Sequence, residues 1–164
     1  MIGTRRIAAA AALFVAGVAV QCASAADNYY GQPAEERALQ DTLPKSNDLL
    51  WGKFAKCRVG YNNKTGMYNI SVTPEVKAMA GHTVTARGWV LPLDGSDHTK
   101  HFLLTRRTPV CMFCPPGEPN EVAEVLAPNP IVWTDKLVTV TGGLSLINNG
   151  EKGMFFRINA TTVK

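Results

Sequence analysis

Charge is scarce in this chain of 164 residues, and what there is does not cluster. Charged residues make up 18% against 46% hydrophobic, for a net charge of +4. So large an apolar share with so little net charge excludes a disordered tail. No run of Lys and Arg interleaved with aromatics occurs, so the electrostatic footprint of a nucleic-acid binder is missing. Long apolar runs are missing too: Ile7 to Val20 falls short of the roughly 20 residues that span a membrane. There is no internal repeat, and the 10 Pro and 14 Gly are dispersed, which excludes a collagen-like or low-complexity tract. Ser-His-Asp, paired-carboxylate, Gly-rich phosphate-loop and His-Glu-x-x-His patterns are absent as well. What remains is room for one small globular domain.

The run Ile7 to Val20 follows a basic head, Met1 to Arg6, and precedes Ala23-Ser24-Ala25, the small-x-small pattern after which signal peptidase cuts. The expectation is a signal peptide over 1–25, a mature chain from Ala26 in the periplasm, and no stable membrane insertion afterwards. Two alternatives fit less well. Cys22 as a lipoprotein cysteine has Gln21 where a small residue is wanted, and Arg5-Arg6 as a twin-arginine signal lacks the rest of that motif. Loss of Arg5 and Arg6 lowers the net charge to +2, so the sequence pI near 9.0 owes much to the leader.

Residues 26–50 read as a polar, loosely held N-terminal arm. It carries a helix-like piece at Pro33 to Leu39 and ends where Leu49-Leu50-Trp51 can dock on a body over 51–164. In that body the hydrophobic period is two, not 3.6. Ala55, Cys57, Val59 and Tyr61 alternate with polar or small residues, as do Tyr68, Ile70 and Val72, with a hairpin connection at Asn62 to Gly66 between them. Thr73-Pro74-Glu75 supplies a hydroxyl cap, Pro at the first helical position and an acid beside it. A short helix over Pro74 to Ala80 follows, with Val76 and Met79 facing inward and Gly81 stopping it. Further strands are read at Thr83 to Leu91, Lys100 to Thr105, Glu121 to Leu126, Leu137 to Thr141, Leu144 to Ile147 and Met154 to Ile158. The fold class is therefore all-β: a small closed barrel of about seven or eight short strands with one short helix and the N-terminal arm.

The segments Gly81 to Asp94, His101 to Thr105, Cys111 to Pro116, Pro119 to Val122 and Val138 to Leu144 together resemble a bacterial family of exported, periplasmic proteins of unknown function, the domain family numbered 3299. The resemblance covers roughly Leu49 to Val163. It implies an OB-like barrel and, through relatives placed among metal-uptake and export components of the envelope, metal handling. Relatives do not all keep a second Cys at the position of Cys114, so a role needing both cysteines belongs to a subfamily.

The residues able to carry chemistry are few. The mature chain has three cysteines, Cys57, Cys111 and Cys114, so in an oxidising compartment one is unpaired. Cys57 lies on the apolar face of its strand and reads as a buried, inert thiol. Cys111-Met-Phe-Cys114 is the sharpest local signal. Pro115 in place of His excludes haem attachment, and Pro115-Pro116-Gly117 resists the helix that a thioredoxin-like pair needs. No second Cys-x-x-Cys exists to complete a four-cysteine zinc site. Two readings lead: a structural Cys111–Cys114 disulfide, or a zinc or copper site in which His101 and in second place His98 join Cys111 and Cys114, with Asp97 or Glu118 to complete it. His82 reads as solvent-facing, His101 as facing the side of Leu103, and Lys100 with Arg106-Arg107 as a solvated strand end. No catalytic residue and no firm cofactor emerges. The function expected is a non-catalytic periplasmic binding or accessory module of an envelope system, partnered by an envelope protein or transporter component, with zinc or copper handling as its candidate chemistry. The alternatives are a weak thiol-disulfide oxidoreductase using Cys111 and Cys114, and a purely structural interaction module.

Overall fold

The computed structural model describes residues 34–110 and 116–164. The leader, Cys22, Cys111 and Cys114 thus lie outside the described residues. In chain order the elements are α1 (Ala34–Thr42), α2 (Leu49–Phe54), β1 (Arg58–Asn62), β2 (Met67–Ser71), α3 (Pro74–Met79), β3 (Thr83–Pro92), β4 (His98–Thr105), β5 (Val122–Val132), β6 (Val138–Asn149) and β7 (Met154–Val163). The chain is mostly β, as its alternation requires.

Five of the seven strands close a barrel in the order β3-β4-β5-β7-β6, and β1 and β2 form a separate two-stranded sheet. All barrel pairings are antiparallel except β5 with β7, which run parallel through Glu124↔Arg157, Val125↔Ile158 and Leu126↔Asn159. Inward residues alternate along each strand: Val84, Ala86 and Val90 of β3 meet Phe102 and Leu104 of β4, Val125 of β5, Val140 and Leu144 of β6, and Phe156 and Ile158 of β7.

Several boundaries differ from the sequence reading. β6 is one strand of 12 residues where Gly142-Gly143 suggested two. The glycines do not break it; at Gly142 the chain passes so close to β7 that an added Cβ would lie 2.2 Å from the Asn159 carbonyl oxygen. The pairing shifts register between Thr141 and Gly142, and that bulge curls β6 around the barrel. Ala55 and Cys57, read as strand, instead follow α2, a helix that the alternation concealed. Asp48 caps it, its side chain accepting from Leu50 N at 2.9 Å. The helix seats Leu50, Trp51 and Phe54 in the barrel core. Phe54 stacks on Phe156 with centroids 3.9 Å apart, and the Trp51 indole N–H donates to the Arg87 carbonyl at 2.8 Å.

α3 is the helix its cap predicts: the Thr73 hydroxyl accepts from Val76 N at 3.3 Å, and Val76 is buried. The β1–β2 hairpin turns at Asn62, whose carbonyl accepts from Gly66 N at 2.8 Å, with Gly66 at φ 68. Tyr68 N, donating to Gly150 O at 2.9 Å, ties this hairpin to the β6–β7 turn.

The arm is not loosely held over its described part. Ser46 donates to the Arg87 carbonyl at 2.5 Å, Ser46 N donates to Arg106 O at 2.8 Å, and Thr108 donates to Pro44 O at 2.8 Å. The arm thus both donates to barrel carbonyls and accepts from the chain after β4, which a composition-based reading of a polar segment could not show.

Candidate functional site

Cys111 and Cys114 lie outside the described residues, and the described residues that the sequence gathered around them, His98, His101, Asp97 and Glu118, do not come together as a cluster. His101 stands on the outer face of β4 and is committed elsewhere: its Nε2 lies 2.7 Å from Glu124 Oε1. Glu124 Oε2 accepts from Arg157 Nε at 2.8 Å. The register makes this row, because Leu103 pairs with Glu124 and Glu124 with Arg157, so one outward stripe crosses β4, β5 and β7. Burial raises the Glu124 carboxyl, but the hydrogen bonds from Arg157 and His101 outweigh it and hold the group below the ordinary glutamate value. His98, Asp97 and His82 are exposed. Glu118 is 3.2 Å from Arg37, and burial pushes its carboxyl up. Among the described residues no three His, Cys, Asp or Glu come together to hold a metal. Cys57 is buried and free as expected, although it lies in the turn between α2 and β1 and not on a strand face.

Arg106 and Arg107 are not a solvated strand end. Arg107 Nε donates to Glu121 Oε2 at 2.5 Å, its Nη1 pairs with Asp41, and Arg106 Nη1 donates to Glu121 Oε1 at 3.2 Å. Glu121 is buried, and its Oε2 also accepts from Glu118 N at 3.2 Å. Gln40 of α1, 0% exposed, donates from Nε2 to Thr108 O at 3.2 Å and to Pro116 O at 3.0 Å. One amide therefore grips both ends of the segment that contains the Cys-x-x-Cys motif.

Beside this segment lies a pocket of about 260 Å³. Trp89 and Leu91 form part of its lining; they are outward residues of β3, on the opposite face from Val90, which is in the core. One wall is Thr108-Pro109-Val110, and the other is Trp133-Thr134-Asp135, the chain leaving β5 for β6. That second wall is fixed where Trp133 N donates to Asp97 O at 2.8 Å. Trp89 is 8% exposed and Trp133 43%. Among the described residues neither indole N–H has an acceptor, and the exposed Asp135 carboxylate has no ion-pair partner. Among the described residues the side chains of the lining are otherwise apolar apart from the Thr108 and Thr134 hydroxyls.

A family model described as "Protein of unknown function (DUF3299)" matches residues 27–155, from upstream of α1 to the start of β7. The chain belongs to this family. A crystal structure of a DUF3299 family protein from Pseudomonas aeruginosa PAO1 is similar at 25% identity, with a TM-score of 0.46, over 58% of this chain and 66% of that one. The match thus spans just under two thirds of that protein. No curated protein matches.

The DUF3299 match begins well before Leu49, so it takes in α1 and Gln40. Sequence reasoning missed Gln40, Glu121, Glu124, Trp89, Trp133 and Asp135 as site-forming residues. A signal existed for one of them: Glu124 is an acid inside the strand-like run Val122-Ala-Glu-Val-Leu126, and a charge there needs an outward partner. Nothing local names Arg157, 33 residues on, as that partner.

Proposed function

We propose that this DUF3299 chain is an exported, non-catalytic binding module, a periplasmic accessory domain that holds a small ligand between Trp89 and Trp133. The observation that carries this reading is the pocket: a concave, largely apolar space with two unpaired indole donors and one unpaired carboxylate, set on a closed barrel. Ligand sites have this composition, apolar walls with a few convergent polar groups, and at about 260 Å³ the ligand is small. A five-stranded closed barrel with a single parallel pair supports assignment to the OB-like class, whose members bind ligands on the barrel exterior. The basic head, apolar run and Ala23-Ser24-Ala25 support export.

The three tryptophans supply the test. The Trp51 indole N–H is held by the Arg87 carbonyl and Trp51 does not line the pocket, so its indole signal is an internal reference. The ¹⁵N-labelled protein is titrated separately with choline chloride, 3,3-dimethyl-1-butanol and N-acetylglucosamine. A saturable shift of the Trp89 and Trp133 indole peaks by any one probe, with Trp51 unmoved, is expected. If none of the three moves them saturably, the pocket is not a binding site and the reading falls.

A further inference from the structure

We infer that the pocket is built for an organic cation of about the size of choline, an ammonium group carrying alkyl substituents; this rests on the binding reading above and names its ligand class. Three observations converge on it. The first is charge: of the nine described lining residues only Asp135 carries one, it is negative, and it has no ion-pair partner among the described residues. The second is that no cation among the described residues pairs with it. Arg106 and Arg107, which precede the Thr108 wall, are taken by Glu121 and Asp41. Lys136, next to Asp135 in the chain, is exposed and does not line the pocket. The third is the pair of indoles. The ring quadrupole attracts a cation to the face, Trp most strongly of the aromatics, and more so where water is displaced. Trp89 lines the pocket and is almost fully buried, so it is not a mobile surface group.

The chemistry selects among small ligands. An anion would meet Asp135 with no compensating lysine or arginine in the lining. A compact inorganic cation would gain the carboxylate but would have to shed water against Leu91, Pro109 and Val110, which return no hydrogen bonds. An alkylammonium carries its charge inside an apolar skin, so it satisfies carboxylate, indole faces and aliphatic wall together.

Choline and 3,3-dimethyl-1-butanol have the same shape and differ only in having N⁺ or C at the branched centre, so comparing them isolates the charge. Choline is expected to bind at least about tenfold more tightly than the neutral isostere, the factor that 1.4 kcal/mol gives. Asp135→Asn should remove most of that preference while leaving the isostere's affinity unchanged, and Trp133→Leu should weaken choline by a similar factor. Calorimetry supplies the affinities, so loss of a fluorophore does not blur the comparison, and sodium chloride at equal concentration controls for ionic strength. If the isostere binds as tightly as choline, or N-acetylglucosamine binds and choline does not, the cation assignment is overturned while the pocket remains a binding site. If no probe binds, both readings fall.

Discussion

Replacing Glu124 by Gln removes a charge from the middle of a three-strand row without changing the shape of the side chain, and its consequence can be worked out. The carboxylate is 6% exposed and accepts one hydrogen bond from His101 and one from Arg157. A hydrogen bond to a charged group contributes roughly 1.5–3 kcal/mol when shielded. Both partners are more than a third exposed, so water recovers part of each loss. The amide keeps one acceptor but turns an N–H₂ toward a donor. The expected loss is about 1–3 kcal/mol at pH 7. For a domain of this size that lowers Tm by roughly 3–5 °C per kcal/mol. The pH dependence has a fixed sign. Burial alone would raise the Glu124 carboxyl, but the Arg157 and His101 hydrogen bonds prevail, so its folded pKa lies below its unfolded one. The unfolded chain therefore binds more protons as pH falls through the ordinary glutamate value, about 4.3, and stability is lost there. The gap between wild type and Glu124→Gln should be full above that value and close as pH falls below it toward the folded pKa. Urea unfolding at a series of pH values measures this. A variant as stable as wild type at pH 7, or a gap unchanged down to pH 3, would refute the reasoning.

Phe54→Ala should cost about 3–5 kcal/mol in urea unfolding, since a fully buried ring stacked on Phe156 leaves a cavity at the junction of α2 and barrel; a loss under about 1 kcal/mol would mean that α2 is peripheral. Gln40→Leu leaves the Thr108 and Pro116 carbonyls without their donor. It should speed protease cleavage between residues 108 and 116 several-fold while the β1–β2 hairpin is cut as before, and uniform cleavage would contradict a local clamp. Gly142→Ala forces a methyl to within 2.2 Å of the Asn159 carbonyl oxygen. Because the obstructing atoms are β7 backbone, the expected loss is about 1–3 kcal/mol, and a neutral outcome in thermal unfolding would show that β6 and β7 can separate there.

Elements whose cause is local were legible in the sequence, and those whose cause is pairing were not. Thr73-Pro74-Glu75 carries its own cap, and α3 forms where that cap predicts. The alternation through Val84, Ala86 and Val90 marks a barrel strand because inward and outward positions differ in polarity. Gly142-Gly143 has the composition of a turn, yet it lies inside β6, because only contact with β7 reveals why no side chain fits. α2 was hidden by its length: six residues give less than two turns, and Leu49-Leu50-Trp51 reads equally as a docking patch. His101 was a candidate ligand while its neighbours were known only along the chain. Strand register gives it Glu124, 23 residues away, which no spacing rule connects to it. The same limit hid the pocket, since Trp89 of β3 and Trp133, on the chain leaving β5, are brought together only by the folded barrel.

The clamp and the pocket belong to one construction. The Thr108-Pro109-Val110 wall is half-buried throughout, and neither Pro109 nor Val110 belongs to the apolar clusters of the described residues. What fixes it is polar: Gln40 on the Thr108 carbonyl, the Thr108 hydroxyl on the Pro44 carbonyl, and Arg107 between Glu121 and Asp41. Burial works against the Arg107 charge, but Glu121 and Asp41 more than restore it, so the guanidinium stays ionised at every pH the protein meets. Asp41, the exposed end of the chain of contacts, is held below the ordinary aspartate value by Lys45 and then by Arg107. Its contribution is therefore present above that value and fades only in acid. A wall made this way keeps its position near neutral pH without large side chains filling the space behind it. Among the described residues the indole N–H groups of Trp89 and Trp133 and the Asp135 carboxylate take no part in holding the wall, so in the proposed binding reading they remain available to a ligand.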